Sequence, residues 1–212
     1  ALKDGVFKDE IVPIEVRSRK GVTVVDTDEY PKDDTTMEKL SKLKASFKEN
    51  GTVTAGNASG RNDGAAFLLV MTAEKAKEYG YTPMAKWIGG AHYGVQEDYM
   101  GIGPAYSNLK ALKQLGMSVD DIDVVECNEA FAAQNLSVIR EMEDQSGKKI
   151  DMERWNPNGG AIAIGHPNGA SGARISMFCM KQLEKTGGRY GIISSCCGGG
   201  LGTTAIIENL RR

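Results

Sequence analysis

Three stretches of the chain hold glycine at a density that no helix or strand interior tolerates, since each glycine gives up more backbone freedom on folding than any other residue. They are GTVTAGNASG (residues 51–60), NGGAIAIGHPNGASG (residues 158–172) and CCGGGLG (residues 196–202). Glycine supplies positive φ and lets another group approach the backbone, so these stretches are expected to be loops. Loops at the ends of strands and helices are where an α/β protein keeps its ligands. None is a dinucleotide fingerprint, because residues 198–202 do not open a helix with an acid about twenty residues further on, and there is no P-loop lysine pattern.

The segments between these loops read as alternating strands and helices. Residues 10–16 suggest a strand, at an edge because Pro13 cannot donate to a ladder. Residues 65–71, with Phe67, Leu68, Leu69 and Val70 in succession, suggest a strand buried on both faces. Residues 86–93 and 122–126 are strand-like. Residues 189–196 and 203–208 flank the last glycine stretch and are expected to pair as a hairpin. A helix is expected over residues 37–47, with Met37, Leu40, Leu43 and Phe47 on one face. Its lysines (Lys39, Lys42, Lys44, Lys48) form either a solvated face or one that meets phosphates. Charged and polar loops are expected over residues 26–34 and 145–151. Further helices are expected over residues 73–79, from Pro104 to the stop at Gly116, from an Asn128 N-cap to about Met142 with Phe131, Asn135, Leu136 and Ile139 on one side, and over residues 171–183 with Ile175, Phe178 and Leu183 inward. This alternation predicts a layered α/β fold, and the closing hairpin makes its sheet mixed.

Composition excludes several classes. With 26 basic and 28 acidic residues the net charge is -2, not the basic excess of a general nucleic-acid binder. No apolar run reaches the ~18 residues of a membrane span. The 212 residues, 41% hydrophobic, can bury a core without staples. Four cysteines (Cys127, Cys179, Cys196, Cys197), two of them adjacent, form no disulfide framework and point to reduced thiols in the cytoplasm. A redox pair of Cys196 with Cys197 would be strained. Two histidines, His92 and His166, with no C-x-x-C, do not make a structural zinc site. The first residues, ALKDG, lack both a starting methionine and a signal peptide's apolar core. The chain is expected either to begin inside a longer gene product or to have had its methionine trimmed.

The glycine stretches single out a few side chains. His166, between Gly165 and Pro167, is either a satisfied structural residue or an imidazole that presents a nitrogen to a substrate oxygen. Cys196, at a strand end, is either a small buried hydrophobe or a thiol that moves a proton, its ordinary pKa lying near ~8.5. Gly198 could face its N–H to a negative oxygen, and Cys197 reads as packing. Asn128 is either a helix cap or a residue that holds a water at an oxyanion position.

Taken in order, the motifs DEIVPIEV, GTVTAGNASGRNDGAA, MGIGP, NEAFA, NPNGGAIAIGHPNGASGAR and CCGGGLG resemble the thiolase family, from about Gly5 to the end of the chain. The resemblance implies a thiolase-like fold, a mixed sheet sandwiched by helices, and acyl transfer by Claisen condensation. The NEAF form points to thiolases that make or break acetoacetyl-CoA or longer 3-ketoacyl-CoA, rather than the sterol-carrier type. Position by position, it implies that His166 binds the thioester oxygen and helps activate a nucleophile. Cys196 would move the α-proton, Asn128 would fix an oxyanion-hole water, and Gly198 would lend an N–H to a second oxyanion hole. Ser59 would meet the pantetheine chain, Met100 and Phe131 would line the acyl pocket, and Lys32 with the lysines of residues 37–48 would lie near the nucleotide end. Coenzyme A thioesters enter as substrates, and no bound cofactor is implied.

The departure is the nucleophilic cysteine, which the family carries in a Cys-x-Ser-Gly turn absent from this sequence. By family layout, residues 1–60 belong to the loop domain that covers CoA, residues 61–82 end the N-terminal thiolase domain, and residues 83–212 are the C-terminal domain. The expectation is a chain that works with an N-terminal thiolase polypeptide and assembles further into a homo-oligomer. The competing reading is a non-catalytic CoA-binding or assembly subunit.

Overall fold

The computed structural model describes residues 1–212. Its elements are β1 (Ile14–Ser18), β2 (Gly21–Val25), α1 (Met37–Ser41), α2 (Ala73–Glu78), β3 (Ala85–Gly94), α3 (Gly103–Leu115), β4 (Val124–Cys127), α4 (Ala132–Ser146), α5 (Ala161–Ile164), α6 (Ser171–Thr186), β5 (Tyr190–Cys197) and β6 (Leu201–Asn209).

Three apolar pairs define the architecture. Val124 and Val125, Ile192 and Ile193, and Ile206 and Ile207 are neighbours along a strand, so their side chains point to opposite faces. All six are buried, which requires cover on both sides of the sheet. On one face Val125, Ile192 and Ile206 meet Leu112 of α3 and Val138 and Met142 of α4. On the other, Val124, Ile193 and Ile207 meet Ile175, Cys179 and Leu183 of α6. The strand order is β3-β6-β5-β4, with β4 parallel to β5 and the other pairs antiparallel. This is the mixed sheet between helices that the alternating elements predict. Gly202 is required where α3 reaches β6, because a Cβ there would fall on the backbone of Gly103.

Several expectations hold closely. Pro104 sits in the first turn of α3, and Gly116 ends it in the left-handed conformation at φ 65°. The helices at 73–79 and 171–183 form as α2 and α6, with Ile175, Phe178 and Leu183 buried, and the terminal hairpin pairs in register from Tyr190↔Glu208 to Cys197↔Leu201.

Others are corrected. The strand expected at 10–16 begins only after Pro13 and pairs with β2, an unforeseen partner, in an exposed two-stranded hairpin. The helix expected over 37–47 stops at Ser41, and although Leu40 and Leu43 lie against Gly56, Met37 and Phe47 are exposed, so only part of its apolar face is covered within this chain. Residues 65–71 join no ladder, and Phe67 and Val70 are 90% and 84% exposed. A strand buried on both faces needs neighbours, and this chain places none there. Asn128 is not a helix cap. Its N–H donates to the carbonyl of Ser194 at 2.8 Å, carrying the β4–β5 pairing one step further, and α4 starts at Ala132. Leu136 accordingly faces solvent, and α4 continues to Ser146 with Gly147 as its left-handed cap, so the polar loop begins there rather than at Gln145.

Leu183 is fully buried between α6 and the sheet, whereas Leu136 is 59% exposed. Leu183→Ala should therefore lower the free energy of unfolding by about 2–5 kcal/mol, and Leu136→Ala by no more than about 0.5 kcal/mol. Urea midpoints of the two variants check this, and equal midpoints would contradict the assigned faces.

Candidate active site

The site is built on the shared C-terminal end of β4 and β5. Cys127, the last residue of β4, is gripped by the amide of Asn156. Its N–H donates to Oδ1 at 2.8 Å, and its carbonyl accepts from Nδ2 at 2.9 Å. Asn156 adopts φ 45°, a left-handed conformation that asparagine tolerates better than most residues. The carbonyl of Asn128 accepts from Asn135 Nδ2 at 3.2 Å, and Asn135 Oδ1 accepts from the indole of buried Trp155 at 2.7 Å. With its N–H and carbonyl both engaged, buried Asn128 is held with Nδ2 3.4 Å from Nε2 of His166.

His166 lies between α5 and α6, held mainly through its backbone. Its N–H donates to the Gly60 carbonyl at 2.9 Å and lies 3.3 Å from Asn62 Oδ1. Arg174 Nη2 donates to the Gly165 carbonyl at 2.5 Å. Gly165 has φ 89°, and a Cβ there would meet Asn62, so this turn requires glycine. The imidazole Nδ1 is 2.7 Å from Ser171 Oγ. The first glycine stretch runs as a strap between the two loops. Ser59 N–H donates to Ala130 O, and Ala132 N–H donates to Asn57 O. Glu129, after Asn128, accepts from Ile162 N–H at 3.0 Å and so ties the NEAF turn to α5.

The other residues singled out by sequence lie as follows. Cys196 is two residues beyond Ser194 in β5, at the same end of the parallel pair as Asn128, and is partly buried. Gly198 is exposed in the turn between β5 and β6. That turn is tied down where Val95 N–H donates to Gly200 O at 2.7 Å, just before the 3-10 helix that carries half-buried Met100. Phe131 packs edge-on against Phe47, ring centroids 6.1 Å apart. Ser59 is half-buried in the strap. Lys32 stands apart on an exposed loop between β2 and α1, and Lys39 and Lys42 pair with Asp34 and Glu38.

Burial sets the charge states. Desolvation lowers the pKa of His166, and the nearby Arg174 cation lowers it further, so the imidazole is neutral at pH 7. Burial pushes the Cys196 thiol up, so at rest it holds its proton instead of standing ready as a thiolate. Cys127 and Cys179 are buried and inert, the former pushed up to about 12 by desolvation. No group of three or more His, Cys, Asp or Glu side chains is arranged to hold a metal ion. The rim offers N–H donors and a thiol instead.

Sequence reading passed over Asn135, Asn156, Ser171, Arg174 and Glu126. The last had a visible signal, a carboxyl within the buried run Val-Val-Glu-Cys. Glu126 is 2% exposed, and burial, reinforced by Glu10 and opposed by Arg174, raises its pKa to about 8. A carboxyl whose folded pKa exceeds its ordinary 4.5 binds a proton in the folded state that the unfolded chain has released. Stability therefore falls as pH rises between about 4.5 and 8, by at most ~1.4 kcal/mol per pH unit. Glu126→Gln should flatten that slope and be more stable than wild type near the top of the window. Urea midpoints across the range test this, and parallel pH profiles would show that Glu126 folds as a carboxylate.

The family described as "Thiolase, C-terminal domain" matches residues 81–209, and "Thiolase, N-terminal domain" matches residues 1–74. An acetyl-CoA acetyltransferase of Syntrophomonas wolfei is 50% identical over 210 residues, 99% of this chain and 52% of that protein. A beta-ketoadipyl-CoA thiolase of Pseudomonas aeruginosa is 49% identical over 210 residues, 99% of this chain and 51% of that protein. The crystal structure of the Bacillus anthracis acetyl-CoA acetyltransferase superimposes with a TM-score of 0.93 at 45% identity, covering 99% of this chain and 52% of that one. The chain thus spans about half the length of the curated relatives it matches.

Proposed function

The chain belongs to the thiolase family, and on that premise we propose that it carries the proton-transfer and oxyanion-binding part of an acyltransferase site. The reaction is condensation of two acetyl-CoA molecules to acetoacetyl-CoA and CoA, or the reverse thiolysis of a 3-ketoacyl-CoA. The observation that carries this reading is the placement of Asn128 Nδ2 3.4 Å from His166 Nε2, at the strand end that also bears Cys196. Carbon–carbon bond formation between thioesters needs an enolate, which forms where its oxygen meets oriented donors while a base takes the α-proton.

The steps balance as follows. A thiolate of low pKa attacks the thioester carbon of the first acetyl-CoA, with His166 Nε2–H donating to the sulfur before attack. The CoA thiolate leaves and takes the proton of the Cys196 thiol, which burial keeps protonated until then. Cys196, now a thiolate, removes an α-proton from the second acetyl-CoA. The resulting enolate oxygen accepts from His166 Nε2–H and from a water held by Asn128. The enolate carbon attacks the acyl group, whose developing oxyanion faces the N–H of Gly198, and collapse expels the first thiolate and forms acetoacetyl-CoA. Ser59 contacts the pantetheine chain, Met100 and Phe131 shape the acyl pocket, and Lys32 lies toward the nucleotide.

The attacking thiolate comes from outside these 212 residues. Cys127 and Cys179 are buried and protonated, Cys196 is occupied with proton transfer, and Cys197 is its immediate neighbour. We assign that thiolate to an N-terminal thiolase polypeptide. The exposed apolar side chains of Phe67, Leu69, Val70, Val22 and Val24 support a covering partner, since so much apolar surface is unusual on a free chain. The assembled unit then forms a homo-oligomer.

The test is to mix the chain with an N-terminal thiolase polypeptide carrying the Cys-x-Ser-Gly turn and follow loss of the enolate absorbance of a 3-ketoacyl-CoA as it is thiolysed. Turnover is expected only in the mixture. Asn128→Ala should lower its rate by about 10²–10³. Cys196→Ala should still form the acyl-enzyme but lose α-proton exchange by about 10²–10⁴. CoA binding without turnover in any pairing would defeat the catalytic reading in favour of an assembly subunit.

A further inference from the structure

Ser171 opens α6 and is buried. Its Oγ lies 2.7 Å from Nδ1 of His166 and 3.3 Å from the carbonyl oxygen of Pro167. A hydroxyl has one proton to give, and these two acceptors are unequal. The Pro167 carbonyl already accepts the N–H groups of Ala170 and Ser171, each at 3.0 Å, which occupies both of its lone pairs. Nδ1 makes its hydrogen bond to Ser171, and at a distance typical of a strong one.

We propose that Ser171 is a positioning residue whose hydroxyl donates to Nδ1 of His166 and so holds the imidazole as the Nε2–H tautomer. The proposal rests on the reading of His166 as a donor to a thioester oxygen and names what makes it one. With Nδ1 bare and bonded to Ser171, the ring proton sits on Nε2, beside the Nδ2 of Asn128. Two N–H donors 3.4 Å apart do not bond to each other. Both are free for an acceptor oxygen placed before them, directly or through a water. The opposite tautomer would present a lone pair to a negative oxygen and repel it.

The orientation of the Asn128 amide is set independently. Asn128, Glu126 and Arg174 line one small cavity of about 10 Å³, the size of a single water. Asn128 Oδ1, Glu126 Oε1 and Arg174 Nε all lack a protein partner. A single water filling it would accept from Arg174 Nε and donate to the two oxygens, an arrangement that keeps Oδ1 inward and Nδ2 facing His166.

The sequence makes the test direct. His92 and His166 are the only histidines, so protein labelled with ¹⁵N-histidine gives two imidazole patterns, exposed His92 being the internal reference. In the 212-residue chain, above the pH range where histidine titrates, His166 should show a protonated Nε2 and a bare Nδ1. Ser171→Ala should shift this single form to a mixture with substantial Nδ1–H, while Ser171→Thr, which keeps the hydroxyl, should retain the wild-type pattern. A protonated Nδ1 in the wild-type chain would overturn the proposal. So would an unchanged His166 pattern in Ser171→Ala with the His92 signals intact. Should Ser171→Ala fail to fold, Ser171→Cys takes its place, with the same shift expected from its weaker donor and the same contrary result. The readout needs no substrate. A wild-type Nε2–H that collapses in Ser171→Ala supports the role of Ser171 even if the reconstituted pair shows no turnover, and that second result would count against the catalytic reading alone.

Discussion

Parallel strands cannot be joined by a tight turn, so the chain that leaves β4 must cross the sheet before it returns alongside as β5. Everything at the candidate site follows from that crossing. Asn128 is the first residue of the excursion, α4 covers one face of the sheet, and α6 covers the other on the way back. His166 sits midway, in the glycine-rich turn between α5 and α6. Because β4 and β5 run the same way, the exit at Asn128 and the end of β5 at Cys196 fall at one rim of the sheet. A parallel pair assembles at its C-terminal end residues far apart in sequence.

The rim is polar and largely buried, and so it is stable only where each group finds a partner. Asparagine is suited to this, since one side chain can both donate and accept. Asn156 does both toward the Cys127 peptide, and Asn135 links Trp155 to the Asn128 carbonyl. Three of the groups left over, on Glu126, Asn128 and Arg174, belong to residues that line one small cavity. Burial there also favours neutral forms: a protonated Glu126, a neutral His166 and a thiol at Cys196. Oxyanion chemistry benefits from this state of rest, because oriented N–H dipoles in a site poor in competing charge act strongly on an anion that appears only during reaction.

Much of this was legible in the residues themselves. The apolar runs 122–126 and 189–196 are strands, Pro104 and Gly116 bound a helix, and the three glycine stretches carry the turns that converge on the site, although the second also holds the short helix α5. Where reading by periodicity erred, a long-range partner decided. Asn128 looks like a helix cap because asparagine caps helices well, but Ser194, 66 positions away (194 − 128), captured its N–H for the sheet. The helical spacing of residues 37–47 is real, yet a helix is stabilised mostly by the face it buries, and Phe47, touched only at its edge by Phe131, stays 75% exposed. Residues 65–71 have the composition of a central strand and no strand to pair with.

By itself, then, the sequence determined the main strands and helices from residue 73 onward, the class of fold, the loops that matter, and His166 and Cys196 as chemically capable side chains. Those are local properties, written in periodicity, glycine density and the intrinsic chemistry of each residue. The tertiary structure alone decided which nitrogen of His166 meets Ser171, that Asn128 faces that ring from the end of β4, and that Arg174 and Glu126 share a cavity behind it. These depend on distances of a few ångströms between groups separated by tens of residues, and such distances are set when both faces of the sheet are buried together.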